Sequence, residues 1–291
     1  MAADKPTLAA ELARSSGNST QWNTVAPGWA RRRGYFWEVS RNVGERLVAS
    51  LDPVAGETIL ELAAGPGDTG FMAASRLGPD GLLISTDFAP EMVATARARG
   101  TELGLTNVDY RVVDAEAIDL PDGAIDGIVC RWGVMLVPQP QLALEESFRV
   151  LRPGGRIAFS VWAEPEANAW GTAVGHALLG LELIEPPDPD APGPFRLGDA
   201  NRVREPVVAA GLDEPAIEDV PITWVHESFD DYWEVTADLS FLLTTAMATL
   251  APETIDEVRS RTAESLLPYM DAGGRLTIPG LTRNVLARKP G

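Results

Sequence analysis

A glycine-rich turn between an apolar strand and a helix most limits what this chain can fold into. Residues 57–62 form a short apolar run typical of a buried strand, and the pattern Gly-x-Gly-x-x-Gly follows at 65–70. Residues 71–77 then continue with helical character. Glycines let the backbone approach a ligand closely, and N–H groups at a helix start can meet its polar atoms. This order therefore predicts an α/β domain with a small-molecule site at the turn.

The alternation of strands and helices continues beyond this turn. Apolar strands are predicted at 81–86, 108–113, 125–130 and 156–162, with helices at 91–103 and 141–151 between them. Pro90 is suited to the first position of the second helix. Such alternation predicts a doubly wound, mostly parallel sheet with helices on both faces.

The regular alternation of strands and helices ends after Trp162, where helical segments are predicted to interrupt the sheet. Helices are predicted at 169–183, 201–210 and over most of 229–270, and strands at 216–227 and 275–289. The proline run at 185–194 excludes helix and central strand, so it is predicted to be a surface loop. The predicted organisation is an N-terminal helical lid at 1–50, a cofactor-binding core at 51–162, an insertion or cap at 163–200, sheet completion by 201–227 and 275–291, and a helical cap at 228–274.

Charge and cysteine content exclude several classes of function. The 291 residues carry a formal net charge of −18, which repels phosphate backbones and makes nucleic acid an unfavourable partner. Residues 31–33 are a basic triplet, interpreted as a solvated helix face. With one cysteine and two histidines, no metal site of these ligands is expected, and the single cysteine fits a cytoplasmic protein. No apolar run is long enough for a membrane span.

Two carboxylates end the second and third predicted strands. Asp87 follows the glycine turn at the distance where a carboxylate can accept both hydroxyls of a ribose. The alternative for Asp87 is a helix cap. Asp114 ends the next strand, where a carboxylate can accept an adenine amino group. The glycine turn and Asp87 fit an NAD(P)-dependent oxidoreductase equally well, whereas Asp114 shifts the balance away from it.

Four ordered motifs carry a resemblance to one family. They are E-x-x-x-G-x-G at 61–67, D-x-x-x-x-M at 87–92, D-A-x-x-x-x-L-P at 114–121 and E-x-x-R-V-L-x-P-G-G at 146–155. In this order and spacing the chain resembles class I S-adenosylmethionine-dependent methyltransferases, nearest to the ubiquinone and menaquinone biosynthesis C-methyltransferases. Ala89 stands where that branch often has serine. The resemblance covers about residues 21–162.

The resemblance implies a Rossmann-like sheet of seven strands with an antiparallel last strand and a helical cap. It also implies that the cofactor is S-adenosylmethionine, with S-adenosylhomocysteine as product. Gly65 and Gly67 would pass beneath it, Asp87 would hold the ribose, and Phe88 and Met92 would sandwich the adenine. The cofactor-binding set is completed by Trp22, Trp29, Glu61, Ala63, Asp114, Ala115 and Arg131.

The alternatives for several of these residues are ordinary packing. Phe88 and Met92 could belong to the core, and Trp22 and Trp29 could dock an amphipathic helix. The candidates for contact with the acceptor substrate are Trp132, Tyr35, Trp37, Trp170 and Phe241.

The catalytic base is left open, and His176 and His226 are the two candidates because neutral imidazole accepts protons near neutral pH. The function predicted overall is methyl transfer to a small organic acceptor, at carbon, oxygen or nitrogen. Composition favours a neutral or cationic acceptor and allows a homodimer through the apolar cap. The alternatives are the oxidoreductase, for which no Tyr-x-x-x-Lys pair is found, and a non-catalytic scaffold that binds the cofactor.

Overall fold

The computed structural model describes residues 8, 12 and 19–291, except for the side chains of Ser19 and Thr20. The main element of the fold is one sheet of seven strands. Its strands are β1 Thr58–Glu61, β2 Leu82–Asp87, β3 Val108–Val112, β4 Ile125–Arg131, β5 Leu151–Trp162, β6 Ala216–His226 and β7 Leu276–Arg288. Their order is β3-β2-β1-β4-β5-β7-β6, and β7 runs antiparallel to both of its neighbours. The predicted fold class is confirmed, including the antiparallel last strand.

Nine α-helices of the described residues pack around this sheet and across one end of it. They are α1 Ser19–Leu51, α2 Asp68–Leu77, α3 Pro90–Glu102, α4 Pro140–Val150, α5 Ala169–Gly180, α6 Ala200–Ala209, α7 Phe229–Leu239, α8 Phe241–Thr249 and α9 Pro252–Leu266. Helix α1 contacts α2, α3 and α7 as well as strands β4 to β7. None of the described helices is both long enough and apolar enough to cross a membrane.

The fifth strand begins earlier than predicted and contains an irregularity. Ile125 and Gly127 of β4 pair with Leu151 and Arg156 of β5, so the intervening residues of β5 loop out of register. The sequence analysis predicts that this strand begins only at residue 156, after residues 153–155. Gly154 has φ of +71°, which a residue without a side chain adopts easily. Pairing therefore resumes only at Arg156, which is then buried.

The basic triplet at 31–33 lies on α1 and is paired within the chain. Arg31 and Arg32 donate to the carboxylate of Asp238 at 2.5 and 2.6 Å, and Arg33 donates to Asp68. The backbones approach closely here, because a Cβ atom on Gly28 would overlap the Asp238 carbonyl. These contacts fix α1 against the end of α7. The first 18 residues of the predicted lid lie outside the described residues, apart from Leu8 and Leu12.

A buried ion pair ties the end of α1 to the sheet. Arg156 donates to both carboxylate oxygens of Glu57 at 2.7 Å and to the carbonyl oxygens of Leu51 and Asp52. Burial disfavours the Glu57 carboxylate, but the hydrogen bonds from Arg156 and Val54 N outweigh burial and lower the pKa of Glu57. This pair joins the region before β1 to β5 across the base of the sheet.

We predict that Arg156→Met lowers the free energy of unfolding by about 3–5 kcal/mol, because it leaves the Glu57 carboxylate buried with only the Val54 N hydrogen bond and a 3.8 Å contact with Arg152. The control is Arg152→Met, whose half-exposed ion pair with Asp126 should be worth less than about 1 kcal/mol. Chemical denaturation at neutral pH measures both. The folded pKa of Glu57 is lowered, so the stabilisation is present above its unfolded pKa and is lost as the pH falls through the folded value. An equal loss of unfolding free energy in the two variants would contradict the larger contribution assigned to the buried pair of Arg156 and Glu57.

Candidate active site

A cavity of about 530 Å³ lies at the carboxyl ends of β1, β2 and β4. Residues of α1, α5, α7 and α8 also line it. In an open parallel sheet this is the edge where the loops after the strands converge, and ligands of doubly wound folds bind there. The cavity therefore lies where the glycine turn predicts a small-molecule site.

The three glycines of the turn have two different roles. Gly65 lines the cavity, has φ of +53°, and has nothing within 4 Å of the position that a Cβ atom would take. Gly67 does not line the cavity, and a Cβ there would overlap the ring of Phe71. A Cβ on Gly70 would overlap the carboxylate of Glu61. Only the first glycine leaves room for a ligand, and the other two allow close internal packing.

The carboxylate of Glu61 holds this turn in place. It accepts hydrogen bonds from Gly70 N at 2.6 Å and from Ser85 Oγ at 2.8 Å. Burial raises the pKa of Glu61 to about 8. The two hydrogen bonds and the nearby Arg131 act in the opposite direction, because they favour the charged form, but burial has the larger effect. Of the two roles open to this residue, contact with a ligand amine or orientation of the loop, these bonds favour the second.

Asp87 ends β2 and is buried at the rim of the same turn. Its Oδ2 atom accepts from Gly65 N at 3.0 Å, and its Oδ1 atom accepts from Ala89 N at 3.0 Å. Burial raises the pKa of Asp87, and these backbone bonds favour the charged form. Each carboxylate oxygen has a second lone pair, so Asp87 can orient the turn and still accept hydroxyl groups of a ligand.

A small apolar cluster borders the cavity beside Asp87. Phe88 and Met92 pack with Trp22 and Trp29 of α1, and all four side chains line the cavity. The two indole rings lie 6.4 Å apart, edge to face. Asp114 lies on the same rim, is exposed, and accepts from Glu116 N at 2.9 Å. This part of the cavity combines flat apolar surfaces with carboxylates.

Two residues with left-handed backbones line the cavity at the ends of adjacent strands. Ala63, after β1, has φ of +49°, and Trp132, after β4, has φ of +61°. Such conformations cost of order 1–3 kcal/mol for residues with side chains, and they cluster at functional sites. A Cβ atom on Gly133 would overlap Ala63 and Cys130, so the two turns are in close contact.

Arg131 places a positive charge on the wall of the cavity. Its Nε and Nη1 atoms are buried and have no hydrogen-bond partner among the described residues. The guanidinium carbon lies 5.1 Å from the ring centre of Phe36 and 5.0 Å from that of Trp132. Burial lowers the pKa of Arg131 to about 10, although Asp68 and Glu61 favour its charged form. Arg131 therefore stays charged at neutral pH and can bind a carboxylate.

Four tryptophans that border the cavity pack against one another and are here called the tryptophan wall: Trp132, Trp162, Trp170 and Trp224. Trp132 stacks on Trp162 with ring centres 4.1 Å apart, and Trp170 stacks on Trp224 at 4.3 Å. The two pairs meet where Trp162 and Trp170 lie 4.6 Å apart. The wall brings together the ends of β4, β5 and β6 with the start of α5.

The two histidines have different surroundings. His226 is buried at the end of β6 and lines the cavity, whereas His176 is exposed on α5 and does not. His226 Nε2 lies 3.0 Å from the Tyr35 hydroxyl, and Nδ1 lies 3.5 Å from an Asp231 carboxylate oxygen. Burial lowers the pKa of His226 to about 4, although Asp231 favours the charged imidazolium. His226 is therefore neutral at neutral pH.

The structure brings most of the predicted site residues to one cavity. Those that line it are Trp22, Trp29, Glu61, Ala63, Gly65, Asp87, Phe88, Met92, Asp114, Ala115, Arg131, Trp132, Trp170, Phe241 and His226. Gly67, Tyr35, Trp37 and His176 do not line it, although Tyr35 contacts His226. The lining residues that the sequence did not identify include Thr69, Trp162, Trp224 and Tyr232. Trp162 ends a predicted strand, and that position could have identified it.

Comparison with known families gives a match over the same core. Residues 53–179 match the family described as a methyltransferase domain. Over 105–118 residues the chain is 37% identical to an arsenite methyltransferase of Halobacterium salinarum and to the aklanonic acid methyltransferase DauC of a Streptomyces species. It is 39% identical over 103 residues to the ubiquinone/menaquinone biosynthesis C-methyltransferase UbiE of Hydrogenovibrio crunogenus. Residues 53–179 are thus similar to a methyltransferase domain, and the relatives include a member of the branch that the sequence motifs indicate.

These matches cover 36%, 40% and 35% of the chain and 27%, 54% and 41% of the three relatives, so the chain spans about half or less of their length. Among solved structures, the YcgJ protein of Bacillus subtilis has a TM-score of 0.58 at 17% identity, covering 86% of this chain and 99% of that one. The cyclase SpnF has a TM-score of 0.52 at 20% identity, covering 86% and 80%. These likenesses show the fold.

We predict that Gly65→Ala weakens binding of S-adenosylhomocysteine at least tenfold, because the new methyl group projects from the left-handed turn into the cavity. The control is Gly56→Ala, which also has a positive φ and open space at the Cβ position but does not line the cavity. Both substitutions should lower the free energy of unfolding by about 1–2 kcal/mol. Calorimetry measures the affinity for S-adenosylhomocysteine, and chemical denaturation measures the free energy of unfolding. Equal affinities in the two variants would show that Gly65 does not face the ligand.

Proposed function

We propose that this protein is an S-adenosylmethionine-dependent methyltransferase that acts on a small organic molecule. The observation that carries the proposal is the cavity at the strand ends, where Gly65 leaves open space beside the carboxylate of Asp87 and the guanidinium of Arg131. The methyltransferase domain at 53–179 supports the same conclusion. Similarity of fold alone would not support this conclusion, because proteins of one fold catalyse many different reactions.

The residues of the cavity fit S-adenosylmethionine in charge and shape. Asp87 can accept the ribose hydroxyls, and Phe88 and Met92 offer apolar surfaces on either side of an adenine. Asp114 can accept from the adenine amino group by its side chain, and Ala115 can do so by its backbone. The unpaired donors of Arg131 suit the carboxylate of the methionine part. Trp22 and Trp29 would then cover the cofactor from α1.

Methyl transfer requires that the acceptor is held in the correct orientation, that water is excluded, and that one proton is removed from an acceptor that carries it. When bound, S-adenosylmethionine supplies an electrophilic methyl group, to which the acceptor's electron pair bonds while the methyl–sulfur bond breaks and leaves its electrons on sulfur. The protein holds the acceptor in line with that bond. An acceptor with an O–H, N–H or acidic C–H group must also release a proton, and His226 is the candidate that faces the cavity.

The helices of the cap supply the dry environment in this proposal. Helices α5, α7 and α8 line the cavity with Val174, Val235, Leu239, Phe241 and Leu242. Trp29 Nε1 donates to the carbonyl oxygen of Leu239 at 3.3 Å, which joins α1 to the end of α7. Excluding water from such a site strengthens its electrostatic interactions and prevents side reactions.

The two rival functions make different predictions for binding and turnover. An NAD(P)-dependent oxidoreductase would bind NADH in preference to S-adenosylhomocysteine, whereas a non-catalytic scaffold would bind the cofactor and transfer no methyl group. A thermal-shift assay with both ligands tests the first rival. A screen of small acceptors for release of S-adenosylhomocysteine tests the second. A shift with NADH and none with S-adenosylhomocysteine would overturn the proposal.

We predict that Asp87→Ala weakens S-adenosylhomocysteine binding by about 1.5–3 kcal/mol, the range for hydrogen bonds to a charged group. Asp87→Asn should weaken it less, because the amide oxygen still accepts one bond. Calorimetry measures the affinities, and the unfolding midpoint shows how much each variant loses by releasing Gly65 N and Ala89 N. If Asp87→Ala binds as tightly as the wild type, Asp87 serves only to orient the turn.

We predict that His226→Gln lowers kcat by about 10²-fold for an acceptor that must lose a proton, the lower end of the usual contribution of general acid–base catalysis, because its lowered pKa makes His226 a weak base. Cofactor affinity should stay unchanged, since His226 belongs to β6 rather than to the glycine turn. His176→Gln is the matched control, because that histidine is exposed outside the cavity. Steady-state kinetics with an acceptor from the screen measures the effect. Unchanged kcat in both variants would exclude histidine as the base.

A further inference from the structure

His226 is a buried imidazole with a carboxylate beside it. The residue is 2% exposed and lines the cavity, and its Nδ1 atom lies 3.5 Å from Oδ2 of Asp231. The Asp231 side chain is 35% exposed and does not line the cavity. Asp231 therefore contacts the candidate base without being placed to contact a ligand in the cavity.

The turn from β6 into α7 fixes the position of this carboxylate. Ser228 Oγ caps the helix by accepting from Asp231 N at 3.2 Å, and Asp231 Oδ2 accepts from Glu227 N at 3.2 Å. His226 is the last residue of β6, immediately before this turn. The local hydrogen bonds of one short segment therefore hold the carboxylate beside the imidazole.

The Tyr35 hydroxyl lies beside the edge of the His226 ring. It is 3.0 Å from Nε2 and 3.4 Å from Nδ1, and the two rings are tilted by 40° with their centres 5.2 Å apart. The in-plane directions in which the two nitrogens bond diverge, so a hydroxyl at nearly equal distances from both lies along neither of them. Tyr35 therefore restrains the ring and leaves the in-plane lone pair of Nε2 open.

The charges around His226 select one tautomer. Burial disfavours the charged imidazole most, Asp231 favours it, and Arg32 of α1 disfavours it more weakly, so that the pKa of His226 is lowered to about 4. Tyr232 of α7 meets the ring edge to face and is neutral. A carboxylate attracts the N–H group of a neutral imidazole and repels a nitrogen lone pair. Asp231 therefore favours hydrogen on Nδ1, which leaves Nε2 as the nitrogen that can accept a proton.

We propose that Asp231 is the positioning residue of His226. Its carboxylate holds the imidazole in the tautomer with an unprotonated Nε2, and it stabilises the imidazolium that forms during turnover. This inference rests on the proposed function, because it takes His226 as the group that receives the acceptor's proton. It adds a residue that the sequence motifs do not contain and that lies outside the cavity.

The proton transfer balances with these groups alone. The bond between the acceptor atom and its hydrogen breaks, the proton bonds to Nε2, and the electron pair stays on the acceptor. His226 then carries hydrogen on both nitrogens and one positive charge, 3.5 Å from the Asp231 carboxylate. After turnover the proton passes from Nε2 to solvent, which restores the neutral imidazole with hydrogen on Nδ1.

The tautomer can be measured directly, because the chain has two histidines and His176→Gln leaves His226 as the single source of imidazole signals. Nitrogen-15 NMR at neutral pH, on protein without a histidine tag, should show hydrogen mainly on Nδ1. Adding Asp231→Ala should shift the tautomer ratio at least tenfold towards Nε2–H. The matched control is Asp230→Ala, which removes a neighbouring carboxylate of α7 that is paired with Arg259 and should leave the ratio unchanged.

Hydrogen mainly on Nε2 in the His176→Gln protein would overturn the proposal, and so would equal tautomer ratios in the Asp231→Ala and Asp230→Ala proteins. Loss of the helix cap alone does not change which nitrogen carries hydrogen. Chemical denaturation of both variants shows that the spectra come from folded protein.

Kinetics test the stabilisation of the imidazolium. Asp231→Asn keeps an oxygen for Glu227 N but removes the charge, and it should lower kcat at least tenfold with an acceptor from the screen that loses a proton. Asp230→Asn should stay within twofold of the wild type. In the His226→Gln background, Asp231→Asn should cause no further loss, because residues that act as a unit are not additive. An equal loss in both backgrounds would overturn a role that acts through His226.

The two proposals fail in different ways. If S-adenosylhomocysteine does not bind, the proposed function is wrong, whatever the tautomer of His226. If it binds with the expected dependence on Asp87 while Asp231→Ala leaves the tautomer ratio unchanged, only the role of Asp231 is wrong.

Discussion

The buried carboxylate of Glu61 is the interaction on which the rest of the site depends. It ends β1, accepts Ser85 Oγ from β2 and Gly70 N from the first turn of α2, and so fixes three elements at one point. Gly70 must lack a side chain for this contact to form. With the turn held this way, Gly65 N reaches the carboxylate of Asp87. The position of the ribose-binding candidate therefore follows from a hydrogen bond made by a different carboxylate.

The first five strands and the part of the cavity around the glycine turn were predictable from the sequence, because both depend on local patterns. Short apolar runs separated by amphipathic helices give a parallel sheet, and residues after such strands meet at one edge of it. That rule is sufficient to bring Gly65, Asp87, Asp114 and Arg131 to a common cavity. It does not distinguish a glycine that faces a ligand from one that packs internally, as Gly67 does against Phe71. That distinction depends on the ring of Phe71, whose position the motif does not encode.

The part of the cavity beside the tryptophan wall was less predictable because it is assembled from distant parts of the chain. The tryptophan wall joins residues 132, 162, 170 and 224, and no periodicity links those positions. The irregular pairing at residues 153–155 was missed for a related reason, since only the alignment of β5 with β4 reveals it. Tyr35 and Trp37 were candidates on account of their aromatic character. Their places on α1 direct one to His226 and leave the other outside the cavity.

The place of β7 in the sheet has a consequence for the order in which the protein can form during synthesis. Strand β6 pairs with β7 alone, and β7 lies between it and β5. When the ribosome has made residues 216–226, that strand has no neighbour to bond with, and the edge of β5 is also open. Both edges close only after residues 276–288 have left the exit tunnel. Because β6 carries Trp224 and His226, their side of the cavity is completed last, well after the glycine turn and its partners can fold.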